Sequence, residues 1–376
     1  MHLLNEVWTL VLVQISRDWE ERWKLAKVCK TWRNVICHFP WEEALPITNR
    51  RAFPPFYNSR YIRIECDVSP ELMLSILKRF TNIRCLEFGM FSSLLQPQPS
   101  NIMKYIEQFQ LEEIVIGTAN NWLTSQNLHC LASCTSCNLA NCLHISDDDI
   151  KYLGNCISLN ISLPVMGSSK EEKLTDTNFS ILHDLTRFDM AGRKKISDEG
   201  VKHLTKLKSL RANHCNLTGS SFRFLQELEH LSYHRCSLLD CSNLSYLNLK
   251  SIDLTRSSIS NEDLQHIGST QEVTLSYCTG ISGKGLSFLT KVETLNLEGC
   301  KQLVDNAIKH ISLTCCKVSL RACNKLTDKT LEYLPFVQLL NVKSCPKISF
   351  KAIQQATQTR NHQSIVSDFD HRICPG

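Results

Sequence analysis

The chain has 376 residues, 43% of them apolar and 21% charged, so it carries enough apolar material for a large core and is not a disordered polymer. Its 42 basic and 37 acidic residues leave a formal charge of +5, too small over this length to point to nucleic acid or a membrane surface. No run of 18 apolar residues marks a membrane span, and 19 cysteines spread over so long a chain do not make the dense disulfide framework of a small secreted protein.

The first segment pairs two amphipathic stretches. Apolar residues at Leu3, Val7, Trp8, Val11, Leu12 and Ile15 fall on one helical face, and a polar stretch from Ser16 to Arg22 follows. The second stretch runs Trp23-Lys24-Leu25-Ala26-Lys27-Val28-Cys29-Lys30-Thr31-Trp32-Arg33, with Val35 and Ile36 after it. Helices this short are marginal alone and need a surface to pack on. The apolar run Val7 to Val13 is short and follows Asn5 and Glu6 rather than basic residues, so it does not read as a secretion signal. The expected compartment is therefore reducing, cytoplasmic and/or nuclear, where the sequon Asn216-Leu217-Thr218 has no meaning.

From about residue 57 a repeat takes over. Its frame is plainest in Val292-x-x-Leu295-x-Leu297-x-x-Cys300-x-x-Leu303-x-Asp305. It recurs from Cys315 through Val318, Leu320, Cys323 and Leu326 to Asp328, and again from Val337 through Leu340, Val342 and Cys345 to Ile348. The third apolar position falls at Ile64, Phe88, Ile116, Leu139, Ile161, Met190, Ala212, Tyr233, Leu254, Leu275, Leu297, Leu320 and Val342, about 13 units. Most steps are 21 to 24 residues. The two longer ones, 28 and 29, contain the insertions near Gln96-Pro97-Gln98-Pro99-Ser100 and Gly167-Ser168-Ser169-Lys170-Glu171-Glu172-Lys173, which are either binding loops or tolerated surface drift.

Within a unit the period changes. Thr294-Leu295-Asn296-Leu297-Glu298 alternates like a strand, whereas Ala307, Ile308 and Ile311, or Leu331 and Leu334, have helical spacing. Ser146-Asp147, Ser197-Asp198 and Thr327-Asp328 stand where helices begin and supply N-caps. One such unit cannot bury its apolar face, but stacked units share one core. Strands stack about 4.8 Å apart while helices need about 10 Å, so the stack bends with the strands inside. The expected fold class is an α/β solenoid: a curved parallel sheet with helices on the convex side, preceded by an all-α module. The tail from Thr357 leaves the clear frame, although Ser364 to Val366 allows one more strand.

The frame also accounts for the cysteines. Cys142, Cys215, Cys236, Cys278, Cys300, Cys323 and Cys345 stand three residues after the third apolar site, and Cys134, Cys137, Cys156 and Cys315 take strand apolar positions, so 11 of 19 have packing places. Cys134-x-x-Cys137, with Cys130 and Cys142 nearby, also has a zinc-like spacing, but no second Cys-x-x-Cys pair accompanies it. The frame favours packing and no metal or other cofactor. No Walker loop, dinucleotide loop or His-Glu-x-x-His string occurs, and the 13 histidines are scattered, so the chain is not expected to be an enzyme.

Strand alternation selects an outward face. It carries Arg187, Asp189, Ser209, Arg211, Asn213, His230, Ser232, His234, Ser251, Asp253, Thr255, Glu272 and Thr274, then Asn296, Glu298, Lys317, Ser319, Arg321, Asn341 and Lys343. The candidate substrate contacts are Arg211, His230, His234, Asp253, Arg321 and Lys343. The last two units are the more basic, which favours an acidic or phosphorylated target there, with an ordinary solvated face as the open alternative for each residue.

The string Val28-Cys29-Lys30-x-Trp32-Arg33 resembles the signature near the end of an F-box, with the Leu3 to Ile15 face where that family has its opening helix and Trp41 where a tryptophan often follows. Two departures stand out: Leu4 where the family usually has proline, and a link between Ile15 and Val28 about two residues longer. The repeats resemble the cysteine-containing leucine-rich repeat. Together they are similar to the F-box/leucine-rich-repeat protein family. The resemblance implies an F-box-like module at 1–45, a linker or cap at 46–56, leucine-rich repeats at 57–356 and a C-terminal tail or cap at 357–376. It implies a non-catalytic receptor of a Skp–cullin–F-box ubiquitin ligase. A Skp-type adaptor would be bound through Leu3, Val7, Leu10, Val11, Trp23, Leu25, Val28, Cys29 and Trp32, and a protein substrate on the repeat face. Three rivals remain: an N-terminal segment that only caps the repeat core, a scaffold or inhibitor that binds a partner without ubiquitin transfer, and a zinc-dependent enzyme.

Overall fold

The computed structural model describes residues 45–47, 58–64, 70–80, 82–88, 106–116, 128–164, 172–359 and 364–368. The adaptor-binding candidates from Leu3 to Trp32 lie outside the described residues. The chain forms two compact units, Met1–Leu163 with Lys170–Leu174, and Pro164–Ser169 with Thr175–Gly376. Among the described residues no helix is long and apolar enough to cross a membrane.

In the first unit β1 (Leu45–Ile47), β2 (Tyr61–Ile64), β3 (Cys85–Phe88), β4 (Glu113–Ile116), β5 (Ser136–Asn138) and β6 (Ser158–Asn160) pair in parallel, each with the next. The second unit repeats the scheme with β7 (Arg187–Asp189), β8 (Ser209–Arg211), β9 (His230–Ser232), β10 (Ser251–Asp253) and β11 (Glu272–Thr274). It continues through β12 (Thr294–Asn296), β13 (Lys317–Ser319), β14 (Leu339–Asn341) and β15 (Ser364–Val366). Every third apolar position from Ile64 to Val342 ends or directly follows a strand and is buried to 3% exposure or less. The strand β1 was not expected from the sequence. The pleat explains the rest: from β5 onward the middle residue of each strand, such as Leu210, Leu231 or Ile252, points into the core while its neighbours point out.

The return segments are shorter and tighter than helical spacing predicts. α-Helices occur at α1 (Pro70–Leu77) in the first unit and at α2 (Asp198–Val201), α3 (Asp305–Ile308), α4 (Lys329–Tyr333) and α5 (Phe350–Thr359) in the second. Elsewhere, at Asp147–Leu153, Phe222–Phe224, Cys241–Tyr246, Glu262–Ile267 and Lys284–Phe288, the chain makes 3-10 turns. A unit of 21 to 23 residues leaves few for the return, and a 3-10 turn advances about 2.0 Å per residue against 1.5 Å for an α-helix. The same side chains reach the core with fewer residues.

Three devices tie successive units together. In the first, the frame cysteine donates its thiol to the carbonyl of the third apolar residue one unit earlier. Cys278 reaches Leu254 O at 3.2 Å, Cys300 reaches Leu275 O at 3.1 Å, Cys323 reaches Leu297 O at 3.2 Å and Cys345 reaches Leu320 O at 3.1 Å. In the Leu254 unit Ser257 stands there instead, and its hydroxyl donates to Tyr233 O at 3.1 Å. In the Met190 unit Arg193 takes the place, wholly buried. Burial pushes the Cys278 thiol up to about 11 and those of Cys300 and Cys323 to about 12, so they stay protonated and donate. Ser257 shows that a hydroxyl does this work. Cys278→Ser is therefore expected to cost under about 1 kcal/mol in urea denaturation, whereas Cys278→Val, which leaves the Leu254 carbonyl only the Ser257 amide at 3.0 Å, costs about 1–2 kcal/mol. Equal losses for the two variants would contradict the donor role.

The second device is a carboxylate clasp. Asp198 accepts from the Thr218 amide (2.7 Å) and hydroxyl (2.9 Å), the Gly219 amide (3.1 Å), and the Ser221 amide (3.1 Å) and hydroxyl (2.8 Å). Asp176 holds the Ser197 amide and hydroxyl in the same way, Asp305 holds Thr327 and Thr330, and Asp328 holds Ser349. Of the expected N-caps, Ser197 accepts from the Glu199 amide at 3.2 Å. At the start of α4 the Thr327 hydroxyl accepts from the Lys329 amide at 3.4 Å while Asp328 makes no capping hydrogen bond, and Ser146 is held by Asp149 through its amide (2.8 Å) and hydroxyl (2.7 Å).

The third device is a left-handed residue two places after the third apolar position. Among the described residues it is Asn141, Gly192, His214, Arg235, Arg256, Tyr277, Gly299, Ala322 or Ser344. The bend lets its amide continue the ladder, as His214 N to His234 O (2.9 Å), Arg235 N to Thr255 O (3.1 Å) and Arg256 N to Ser276 O (2.8 Å). A side chain in this region costs roughly 1–2 kcal/mol that glycine avoids.

Candidate functional site

The outward-facing strand residues of the second unit make the candidate binding face. Arg211 lies 3.6 Å from Asp189 across β7 and β8. His230 Nδ1 is 2.7 Å from Ser251 Oγ, and His234 Nε2 is 2.7 Å from Asp253 Oδ2. Arg211, His230, Ser232, Ser251, Asp253 and Thr274 help to line a shallow depression of about 330 Å³ over β8 to β11. The structure therefore brings Arg211, His230 and Asp253 to one place, with His234 joined to it through Asp253. Arg321 stands apart, 3.3 Å from Glu298, which also accepts from the Tyr277 hydroxyl at 2.9 Å. Lys343 follows β14, outside the depression, and its amide donates to Asn341 Oδ1 at 3.1 Å.

Two expectations are corrected. Asn213 does not face outward: it is 4% exposed, and its Oδ1 accepts from the Ser232 hydroxyl (3.1 Å) and the His234 amide (2.7 Å). At the same place in other units His234, Thr255, Glu298, Arg321 and Lys343 keep alternation and stay at least partly exposed, so it is these two hydrogen bonds that turn Asn213 inward. The basic character assigned to the last two units is also reduced, because the Glu298 carboxylate lies against Arg321.

The acidic and amide residues that end the strands have a structural task as well. Asp189, Asp253, Asn296 and Asn341 each accept the amide two residues on, at 3.0, 3.0, 3.0 and 3.1 Å, making the turn that leads into the left-handed residue. Their charges differ in setting. Burial holds the Asp189 carboxyl above its ordinary value despite the Ala191 amide and Arg211. At Asp253 burial acts in the same direction, but His234 and Thr255 outweigh it and hold the carboxyl below the usual range.

Other features of the surface escape the alternation argument. A larger hollow of about 690 Å³ runs along the edge where β8 to β12 begin, with Lys208, Glu229, Lys250, Gln271 and Glu293 on its wall. Lys250 pairs with Glu229 at 2.9 Å. The signal was present, as charged or polar residues directly before each strand. In the first unit Glu87 joins Arg63 (2.8 Å) and accepts from the Tyr61 hydroxyl. Leu339 is an apolar residue on the outward face of β14, 40% exposed.

The Cys134–Cys137 pair lies in the core of the first unit, both 2% exposed or less. Neighbouring thiols of Cys134 and Cys156, and then burial, push Cys137 well up, a setting that favours the neutral thiol over a metal-binding thiolate. Among the described residues no group of three or more His, Cys, Asp or Glu side chains could hold a metal ion.

The sequence matches no family model, and no curated protein matches it. Solved structures do match in fold. A structure titled as a TLR13–ssRNA13 complex superposes with a TM-score of 0.54 at 17% identity, over 76% of this chain and 43% of that chain, so this chain spans less than half its length. The yeast Rad7–Elc1 complex gives 0.46 at 16% identity, over 84% and 76% of the two chains. An internalin (inlF) from Listeria monocytogenes gives 0.46 at 15%, over 84% and 82%. With the parallel one-strand-per-unit ladder and the buried repeat frame, the chain has the α/β fold of a leucine-rich-repeat solenoid.

Proposed function

We propose that this chain is the substrate-recognition subunit of a cullin–RING ubiquitin ligase of the Skp–cullin–F-box type. In this reading the segment 1–45 binds a Skp-type adaptor, and the outward strand face of the repeats binds a target protein. The observation that carries it is the Val28-Cys29-Lys30-x-Trp32-Arg33 string placed ahead of a leucine-rich-repeat solenoid. The chain's own contribution to the reaction is proximity: it holds a target near a charged ubiquitin-conjugating enzyme and raises the effective concentration. The bond-forming chemistry belongs to other subunits, no cofactor is needed, and the compartment is cytoplasmic and/or nuclear.

Co-purification with a Skp-type adaptor tests this. The full chain is expected to retain the adaptor, and the triple variant Val11→Asp, Val28→Asp, Trp32→Asp to lose it by at least a hundredfold. Circular dichroism of the repeats should not change. A wild-type chain that never retains the adaptor would instead be a scaffold or inhibitor using the same repeat face.

A further inference from the structure

The small net charge of the whole chain conceals a local excess. From Lys284 to Lys351 stand eleven basic residues and five acidic ones, an excess of six, against +5 for all 376 residues. Eight of the eleven lie off the strand face, on the segments that return from one strand to the next, and all eight are exposed lysines. Six of them gather in one stretch of each unit, from the frame cysteine to the first turn of the return. In four successive units that stretch runs Cys278 to Lys284, Cys300 to Asn306, Cys323 to Lys329 and Cys345 to Lys351. It holds Lys284, Lys301, Lys325, Lys329, Lys347 and Lys351. In the two units before, the same stretch carries Asp240, and then Glu262 with Asp263, and no lysine. The sign changes within one repeat.

Two carboxylates share these four stretches, and both are engaged. Asp305 is gripped by Thr327 and Thr330, with Lys329 near it, and Asp328 by Ser349. Among the described residues none of the six lysines enters an ion pair. The Lys325 ammonium donates instead to the neutral Gln302 side chain at 2.8 Å. The stretches are held side by side by the register of β11 to β14 and by the thiols of Cys300, Cys323 and Cys345 on the preceding unit. In the middle of the strip Val304 is 42% exposed, where Ser282, Thr327 and Ser349 of the other units carry a hydroxyl.

The make-up of the strip selects its partner. A lysine is a point charge on a flexible stem, whereas arginine is the fork that reads one phosphate along two directions. Lysines without arginine suit a surface of many anionic headgroups, which asks for charge and not for a fixed geometry. The stretches present no exposed aromatic ring on which a base could stack, as single-stranded nucleic acid requires. Val304 adds an aliphatic contact of the kind that the boundary between headgroup and acyl chain accepts. We propose that this lysine strip docks the protein on a bilayer carrying anionic phospholipid. The strip uses none of the candidate target contacts on the strand face, and the inference does not rest on adaptor binding.

The test is co-sedimentation of the full chain, without adaptor, with vesicles of phosphatidylcholine and with vesicles of phosphatidylcholine mixed with phosphatidylserine. Binding to the mixed vesicles is expected to exceed binding to the neutral ones at least tenfold and to weaken as salt is raised. A lysine near such a surface is worth about fivefold in binding, so Lys301→Gln, Lys325→Gln, Lys329→Gln and Lys347→Gln combined should weaken it by about a hundredfold or more at an unchanged melting temperature. The same four positions changed to arginine should bind at least as well as wild type. A control with equal loss of charge elsewhere, Lys202→Gln, Lys206→Gln, Lys208→Gln and Lys250→Gln, should stay within a few-fold of wild type. The proposal is overturned by a wild type that stays in solution with the mixed vesicles or pellets equally with both kinds. It is also overturned by binding that survives in the glutamine variant of the strip, or that falls as far in the control or in the arginine variant. Release from the mixed vesicles by an equal mass of oligouridylate or duplex DNA would assign the strip to nucleic acid and overturn it likewise. Because no adaptor is present, a failed adaptor pull-down leaves this result standing.

Discussion

Asp198→Ala is expected to lower the unfolding free energy by about 3 kcal/mol, measured from the urea midpoint at unchanged slope. The carboxylate is 7% exposed and accepts five hydrogen bonds from three residues of the next unit. Without it the Thr218 and Ser221 hydroxyls can turn to other acceptors, but the amides of Thr218, Gly219 and Ser221 cannot. Each buried donor left unmade costs about 1–3 kcal/mol. Asp198→Asn keeps one acceptor oxygen and should lose less. The same site has a pH signature. Burial raises the Asp198 carboxyl, but the amides and hydroxyls outweigh it, so its folded value lies below its ordinary one. A depressed acid contributes stability above the unfolded value of about 3.9, and that stability is lost as pH falls through the folded value. Below pH 4 the alanine variant should therefore lose stability less steeply than wild type. The slope will not vanish, because the Asp253 and Asp305 carboxyls are also held low. A variant as stable as wild type at pH 7 would remove the clasp from the account of how the units cohere.

Tyr233→Ala is expected to cost about 4 kcal/mol, as large aromatic truncations in close-packed cores do. Tyr233 is fully buried at a third apolar position where most units have an aliphatic residue. The preceding unit has Ala212 at the corresponding place, so a small side chain precedes a large one and the ring fills the room that alanine leaves. The hydroxyl donates to the carbonyl of Leu217, which belongs to that preceding unit. Burial, with the thiols of Cys236 and Cys215 contributing, pushes the phenol far above its ordinary value, so it remains a donor throughout the accessible pH range. Tyr233→Phe keeps the volume and loses only the hydrogen bond, for about 1–2 kcal/mol. If the two variants proved equally damaging in calorimetry, the ring would not be filling space as described.

Residue patterns carried the repeat because its signal is redundant. The spacing of Leu295, Leu297, Cys300 and Leu303 specifies a pleat, a turn and a core contact at once, and each is found buried. Contacts between units were less legible. That Asp198 would grip Thr218 rather than only begin a helix depends on where the next coil passes, and no local pattern states this. The left-handed row was missed because it is filled by histidine, arginine, tyrosine, alanine and serine rather than by a constant glycine. Asn213 was misplaced because its amide oxygen is drawn inward by the Ser232 hydroxyl and the His234 amide of the next unit, which no local pattern states. Among the candidate contacts, Arg211, His230 and Asp253 share one depression because neighbouring strands are in register. The pairing of Arg321 with Glu298 was not legible because Glu298 sits 23 residues earlier, where only the stacking brings it near.

The clasp gives the array a direction. Each aspartate serves the unit that comes after it, so the two ends of a truncated array are not equivalent. A chain ending at residue 320 would leave the Asp305 carboxylate open to water, which hydrates an anion readily. A chain starting at residue 310 would instead strip the acceptor from the Thr327 amide and from the hydroxyls of Thr327 and Thr330. Deletion from the carboxyl side should therefore leave a sealed edge, and deletion from the amino side a fraying one. Unzipping would run preferentially from the front of the coil to the back.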